Sequence, residues 1–125
     1  MPTRIEYEGH KANIELFEFE DGTCPADEFL AKLSPQDRQK VDNLFEMMGL
    51  QGEIRNKEKF KKLEGSEGLF EFKSFQIRLL CFYGNGIPRK KLVISHGVKK
   101  QQDKHAKADI NRAAATREKY LGEMK

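Results

Sequence analysis

Hydrophobic and polar residues alternate along Asn13–Glu20, and a two-residue spacing of this kind predicts a β-strand. Asp21 and Gly22 follow the segment and predict a turn that ends it. From Pro25 the spacing of apolar residues changes to three and four, which predicts a short helix over Pro25–Leu33. The N-terminal third of the chain is therefore predicted to place a strand before helical structure.

A second helix is predicted to begin at Ser34-Pro35, because serine caps helix N-termini well and proline fits the first helical position. The apolar stripe of this helix has the spacing i, i+3, i+4 and i+7 and consists of Val41, Leu44, Phe45 and Met48. The glycines in the segment Gly49–Gly52 are expected to end the helix. We expect the two helices to form an antiparallel hairpin.

After a basic connector, Arg55–Lys62, the sequence contains three strand-like runs and one more helical pattern. The predicted strands are Leu69–Lys73, Ile77–Tyr83 and Lys91–His96, with a turn cluster at Gly84–Pro88, and the predicted final helix is Asp103–Leu121. The element order β-αα-βββ-α predicts one α+β domain over residues 1–125, in which helices cover a mostly antiparallel sheet.

The short connection between the first two of these strands sets their expected register. It pairs Lys73 with Arg78 and turns one apolar set inward, namely Phe70, Phe72, Leu79, Cys81 and Tyr83. Lys73 and Arg78 are then expected to point outward on the other face. Two opposed cations destabilise a sheet unless an anion lies between them, so the pair either binds an anion or turns into solvent with help from Glu71.

Length and composition narrow the class of protein. The chain has 125 residues, of which 38% are hydrophobic and 34% charged, as in a small globular domain. Its apolar runs are far shorter than a membrane span, and residues 1–10 lack the apolar core of a signal peptide, so we expect a cytoplasmic protein. The two cysteines, Cys24 and Cys81, form no CxxC pair, and Cys81 is expected to be a buried thiol.

Charge is distributed unevenly along the chain. Residues 1–54 contain 5 Lys/Arg and 12 Asp/Glu, whereas residues 55–125 contain 18 Lys/Arg and 8 Asp/Glu. A basic second half is typical of a protein with a polyanionic partner. The alternative is that the two halves neutralise each other within one fold.

His96 is the strongest candidate for proton transfer, because it ends a predicted strand and is followed by Gly97, Lys99 and Lys100. Nearby cations disfavour imidazolium and leave neutral imidazole as a base. No metal-ligand spacing, phosphate-binding loop or nucleophile elbow occurs in the sequence, so neither a metal nor a cofactor is expected. A basic site with one histidine suits RNA cleavage, since RNA carries its own nucleophile, the 2′-hydroxyl.

Four segments together resemble the RelE/HigB-like toxins of type II toxin–antitoxin modules, and most closely the phage-derived HigB-type branch. They are Lys62–Lys73 (KLEGSEGLFEFK), Arg78–Tyr83 (RLLCFY), Leu92–Lys100 (LVISHGVKK), and Ile110–Ala113 (INRA) with Arg117 and Tyr120. The resemblance extends over roughly residues 13–121. It implies a RelE/ParE-like fold and a metal-free endoribonuclease that enters the ribosome and cuts mRNA. It also implies neutralisation by an antitoxin, often a helix-turn-helix protein.

The resemblance places the catalytic residues at His96, Arg78 and Lys73, the last where the family often has arginine. The candidate RNA-binding residues are Lys61, Lys62, Lys99, Lys100, Arg89 and Lys90. Two alternatives remain open at this point. One is a toxin of the same fold that acts by binding, such as a ParE-like gyrase inhibitor, and the other is a non-toxic phage or host protein that binds RNA or protein.

Overall fold

The structure is a computed structural model, and it describes residues 2–86, 89–100 and 107–123. The elements in chain order are β1 (Thr3–Glu8), β2 (Ala12–Phe17), α1 (Pro25–Ala31), α2 (Pro35–Gln51), β3 (Phe60–Lys62), β4 (Phe70–Ser74), β5 (Ile77–Tyr83), β6 (Lys90–Lys99) and α3 (Lys107–Glu123). Across these residues, no helix combines the length and apolar character needed to cross a membrane.

The six strands form one sheet in the order β1-β2-β6-β5-β4-β3. All neighbours are antiparallel except β2 and β6, which run parallel. The α+β class and the mostly antiparallel sheet are therefore confirmed. The predicted order β-αα-βββ-α was incomplete, because β1 precedes the expected first strand and β3 lies inside the expected basic connector.

The two N-terminal helices begin and end where local chemistry favours it. The Oγ of Ser34 accepts a hydrogen bond from the Asp37 backbone N–H at 3.1 Å, and Gly52 ends α2 with a left-handed φ of 79°. α1 packs on β2 and β6, and α2 packs on β1, β2 and β4. Their main partner is the sheet, and the expected antiparallel helical hairpin is not confirmed.

Helices cover both faces of the sheet, which we call the α1/α2 face and the α3 face. The α1/α2 face carries the larger apolar core, which includes Ile14, Leu16, Phe45, Met48, Phe72, Leu79, Cys81 and Ile94. The α3 face carries a second core built from Phe17, Leu63, Leu69, Leu80, Phe82, Val93, Ala113 and Tyr120. The predicted inward set is largely confirmed on the α1/α2 face, although Tyr83 is exposed at the sheet end.

A β-bulge in β6 changes which residues face α3. Leu80 pairs with His96 whereas Cys81 pairs with Ile94, so Ser95 is an extra residue without a partner on β5. Strand alternation would place Ser95 and His96 on opposite faces, but a bulge of this kind turns both to one side. Gly97 then faces α1, where an added Cβ would lie 2.3 Å from the Phe29 ring.

Candidate functional site

Among the described residues, six polar residues are buried on the α3 face. One of them, Glu15, lies on β2 and pairs with Val93, and we call the other five the polar cluster: Glu71, Arg78, Ser95, His96 and Thr116. The register explains why four of them meet. Glu71 pairs with Leu80 and Leu80 pairs with His96, so the three share one row on one face, and Arg78 lies two residues from Leu80 along β5. Thr116 comes from α3, which covers this face, and contacts Ser95.

Arg78 is the buried cation of the cluster. Its Nε lies 3.4 Å from Oε1 of Glu71, and its guanidinium donates hydrogen bonds to the backbone oxygens of Phe75 and of Ile77, the latter at 3.0 Å. Arg78 is 6 % exposed and Glu71 1 %. The expectation that Arg78 points outward was therefore wrong, because α3 and its core cover the face that was taken to be open.

The register prediction itself is confirmed, since Lys73 pairs with Arg78 across β4 and β5. The anion next to Arg78 is the protein's own Glu71, which was expected on this face and lies 3.4 Å from the arginine. Lys73 is half-buried rather than fully exposed. Of the two opposed cations, Lys73 is the one with more access to an external anion.

His96 is held by a directional chain of hydrogen bonds. Its Nδ1 lies 3.0 Å from Ser95 Oγ, which lies 3.1 Å from Thr116 Oγ1, which lies 3.0 Å from the backbone oxygen of Arg112. A carbonyl only accepts, so Thr116 donates to Arg112 and Ser95 donates to Thr116. Each hydroxyl has one proton, and His96 Nδ1–H is therefore the donor to Ser95. This arrangement places a proton on Nδ1.

Asp109 is the acidic partner that sequence reasoning missed. Its Oδ1 lies 3.5 Å from His96 Nε2, and its side chain is 29 % exposed, whereas that of His96 is 1 % exposed. Asp109 occupies the first turn of α3, where acidic residues are common for electrostatic reasons, so nothing in the sequence distinguished it. The surroundings of His96 were expected to be purely cationic, and this expectation was wrong. The Asp109 carboxylate lies next to the ring and can pair with it when the ring is protonated.

Of the candidate RNA-binding lysines, Lys61 lies in the same row as the cluster. It pairs with Glu71 across β3 and β4, and the row continues through Leu80 to His96. Lys61 is half-buried. Lys61 and Lys73 are therefore predicted cations that the structure places on the α3 face with partial access to solvent.

The predicted basic rim is divided between the faces. Lys99 pairs with Ile77, a residue of the α1/α2 core, and so lies on the face opposite His96. Lys62 is exposed and pairs with Phe70 on that same side. The backbone N–H of Lys100 donates to the Gln76 oxygen at 2.7 Å beside the β4–β5 turn.

Arg89 and Lys90 are not part of this site. Both lie at the start of β6, and Lys90 is six residues from His96, about 20 Å along a strand. Their side chains donate hydrogen bonds to the backbone oxygens of Gly9 and Gly52, each at 2.9 Å. They tie the start of β6 to the N-terminal half.

The β4–β5 turn contains a strained residue. Phe75 has a φ of 54°, the left-handed region that large side chains rarely adopt, and it is 78 % exposed. Such a conformation costs about 1–3 kcal/mol. The Arg78 hydrogen bond to the Phe75 oxygen holds the turn in place.

Two further groups of residues bear on chemistry. Within the described ranges, no three His, Cys, Asp or Glu side chains are arranged to hold a metal ion. Cys24 and Cys81 are free and buried, as expected for Cys81, and complete burial raises the pKa of the Cys81 thiol well above its usual range. Neither cysteine lies in the polar cluster.

Comparison with known families adds one decisive observation. The sequence profile of the phage-derived, Gp49-like proteins matches residues 28–118, from within α1 to near the end of α3. The chain belongs to this Gp49-like family. The family comprises RelE-like and toxin-like proteins of toxin–antitoxin modules. The matched range contains the whole polar cluster and Asp109. No curated protein matches the chain in sequence.

Proposed function

We propose that the protein is the toxin of a toxin–antitoxin module and that it inhibits translation by cutting mRNA on the ribosome. Membership of the Gp49-like family supports the toxin role. The cleavage role rests on one observation, the contact between His96 and Asp109 on the sheet face that also carries Lys61 and Lys73. A proton acceptor beside accessible cations is what metal-free RNA cleavage requires.

The chemistry needs two bond changes and two proton transfers. The 2′-oxygen forms a bond to phosphorus and the P–O5′ bond breaks. The proton of the 2′-hydroxyl goes to the His96–Asp109 pair, and solvent water protonates the leaving 5′-oxygen. Lys61 and Lys73 neutralise charge on the phosphate and help to hold it in line. Arg78 is too buried to touch RNA in this arrangement, so it acts as a positioning residue through the β4–β5 turn and Glu71.

Asp109 and His96 act together as the proton acceptor in this proposal. The Asp109 carboxylate reaches solvent, and His96 Nε2 lies 3.5 Å from its Oδ1, so a proton that Asp109 receives can be shared with the ring. The proton from the 2′-hydroxyl passes to this pair, and the chain through Ser95 and Thr116 keeps a proton on Nδ1 of the ring. General base catalysis of this kind is worth about 10²–10⁴-fold in rate.

The proposed partners are mRNA and ribosomal RNA, together with a cognate antitoxin that is a helix-turn-helix protein. The basic second half of the chain supports a polyanionic partner, because residues 55–125 contain 18 Lys/Arg and only 8 Asp/Glu. Binding to RNA should weaken as salt rises, with a slope of about 0.7 for each phosphate contacted on a single strand.

Induced expression tests this proposal directly. Wild type should arrest growth, and mapped mRNA ends should follow the reading frame. Asp109→Asn should abolish both, whereas Glu118→Gln, an exposed acid on the same helix, should retain both. Growth arrest and in-frame cleavage by Asp109→Asn at the wild-type level would overturn the assigned role of the His96–Asp109 pair.

The burial of His96 and Arg78 favours a second candidate, a toxin of this fold that acts by binding, as ParE-like gyrase inhibitors do. On this view the polar cluster serves the fold and the basic surface serves a partner. The same experiment separates the two, since a binding toxin arrests growth without new mRNA ends. Asp109→Asn would then leave toxicity unchanged.

A further inference from the structure

An exposed aromatic ring stands at the tip of the β4–β5 turn, outside the polar cluster. Phe75 is 78 % exposed and keeps a left-handed backbone that glycine or asparagine would adopt more easily. The ring contributes little to either core, yet the turn holds it in a strained conformation. The Nζ of Lys40, from α2, lies 4.2 Å from the ring centroid as a cation–π contact.

The ring borders a groove of about 310 Å³ between α2 and the β3–β4 region. Three lysines line the groove, Lys40, Lys59 and Lys73, against one carboxylate, Glu58. Its apolar part comes from Leu44 and Met47 together with Phe75. The combination of positive charge, an apolar floor and a flat exposed ring fits a nucleotide, which has a phosphate at one end and an aromatic base at the other.

The ring is fixed relative to the polar cluster. The Arg78 guanidinium donates to the Phe75 oxygen, and Lys73 both lines the groove and pairs with Arg78. The groove lies on the α1/α2 face and the cluster on the α3 face, so the two adjoin the β4–β5 hairpin from opposite sides of the sheet. An RNA chain bound in the groove therefore has to pass the β4–β5 turn to reach the cluster.

We propose that the groove binds one nucleotide of single-stranded RNA, with its base stacked on Phe75 and its phosphate held by Lys40 and Lys59. Stacking on an exposed ring tolerates any base, because every base has a π-face. This inference deepens the proposed function, since it gives the RNA strand a contact outside the reaction site. Charge complementarity and the stacking surface favour RNA over an acidic peptide, which would leave the ring without a flat partner.

Two substitutions at Phe75 separate stacking from strain. Phe75→Asn removes the ring and suits the left-handed backbone, and Phe75→Tyr keeps the ring. Binding of a labelled 12-nucleotide single-stranded RNA is measured by fluorescence anisotropy, without ribosomes. Phe75→Asn should bind about 5- to 100-fold more weakly, the loss of one stacked base, while melting at or above the wild-type temperature. Phe75→Tyr should bind close to wild type.

The lysines are tested by the salt dependence of the same binding. Lys40→Ala and Lys59→Ala should each lower the slope of log affinity against log salt by about 0.7. The matched control is Lys32→Ala, an exposed lysine at the end of α1 that does not line the groove. An equal loss of slope in the control would mean that general charge, rather than the groove, binds the RNA.

Three outcomes overturn the inference: unchanged RNA affinity in Phe75→Asn, equal competition by double-stranded RNA, or Phe75-dependent binding of a poly-glutamate peptide in place of RNA. The proposed function fails separately, if wild type binds the oligonucleotide through Phe75 but cuts no mRNA on programmed ribosomes. In that case the groove remains an RNA site on a protein that is not a ribosome-dependent nuclease.

Discussion

The two faces of the sheet are stabilised by different chemistry. The α1/α2 face is covered by an apolar core in which aromatic rings pack edge to face, as Phe45 does on Phe72 with centroids 5.5 Å apart. The α3 face combines an apolar core with an ion pair, a histidine and two hydroxyls, all buried. The α1/α2 face depends on shape, whereas the α3 face depends on each polar group keeping its partner.

This difference identifies where function has to be sought. An apolar core needs only residues of suitable size and shape, but a buried polar network is costly unless it is satisfied. The α3 face keeps such a network beside half-exposed lysines, and the α1/α2 face has none among its buried residues. Substitutions that disturb one face at a time should therefore have different effects.

The largest loss of stability is expected from a substitution on the α1/α2 face. Phe72→Ala should lower the free energy of unfolding by about 4 kcal/mol, because Phe72 is fully buried and its ring packs against those of two other phenylalanines. Urea unfolding followed by circular dichroism measures the change as a shift in midpoint. Phe72→Leu should recover more than half of the loss. A cost below about 1 kcal/mol would show that the core repacks freely.

Breaking the ion pair on the α3 face should cost slightly less. Arg78→Ala should destabilise the fold by about 3 kcal/mol, since it leaves the Glu71 carboxylate buried without its cation. Adding Glu71→Gln should recover part of the loss, because the buried charge is removed as well. Lys73→Ala, at the half-exposed cross-strand partner of Arg78, is the control and should change stability by less than about 0.5 kcal/mol.

The hydroxyl chain on the α3 face should give a smaller effect with a distinct signature. Thr116→Val keeps the shape but removes the acceptor for Ser95, at a cost of about 1 kcal/mol. The freed Ser95 hydroxyl can then donate to His96, so the ring should lose its preference for a proton on Nδ1. Nitrogen-15 NMR of the His96 ring reports this, and Thr116→Ser should behave as wild type. An unchanged tautomer in Thr116→Val would contradict the directional chain.

The smallest effect is a pH dependence from the α1/α2 core. Burial raises the folded-state pKa of Cys81 well above its ordinary value near 9.0, so the unfolded chain loses this proton first. The stability from the protonated thiol is present below that ordinary value and is lost as pH rises towards the folded pKa, by about 0.4 kcal/mol at pH 9. Urea midpoints at pH 7 and pH 9 measure it. Cys81→Ala should remove this part of the slope, while Cys24 and Tyr83, whose pKa values burial also raises, keep theirs.

Several elements could be predicted from local sequence because local chemistry decides them. α2 begins at Pro35 after the Ser34 cap, and the β4–β5 register follows from a short connection. β1 was missed because it is an edge strand with an exposed Ile5, so its hydrophobic pattern is weak. β3 was missed because three residues give no periodicity.

The candidate site was predicted less well, for two physical reasons. The run Leu79–Phe82 is continuously apolar, a pattern typical of strands buried on both faces. This pattern indicates that the neighbouring Arg78 is also covered by a helix, and the prediction did not use it. The bulge at Ser95 is set by tertiary packing, including the close approach of Phe29 to Gly97, and has no local signature. The pairing of His96 with Asp109 depends on that bulge.

The parallel pairing of β2 with β6 has a consequence for synthesis of the chain. Ile14 and Leu16 of β2 pair with Leu92 and Ile94 of β6. The β1–β2 hairpin must therefore wait for β6, which is synthesised much later. At about 5–20 residues per second, that wait lasts several seconds, during which the first two strands lack their central neighbour. A nascent chain that stops before β6 also lacks His96. A truncated product therefore has neither the complete six-stranded sheet nor the assembled polar cluster.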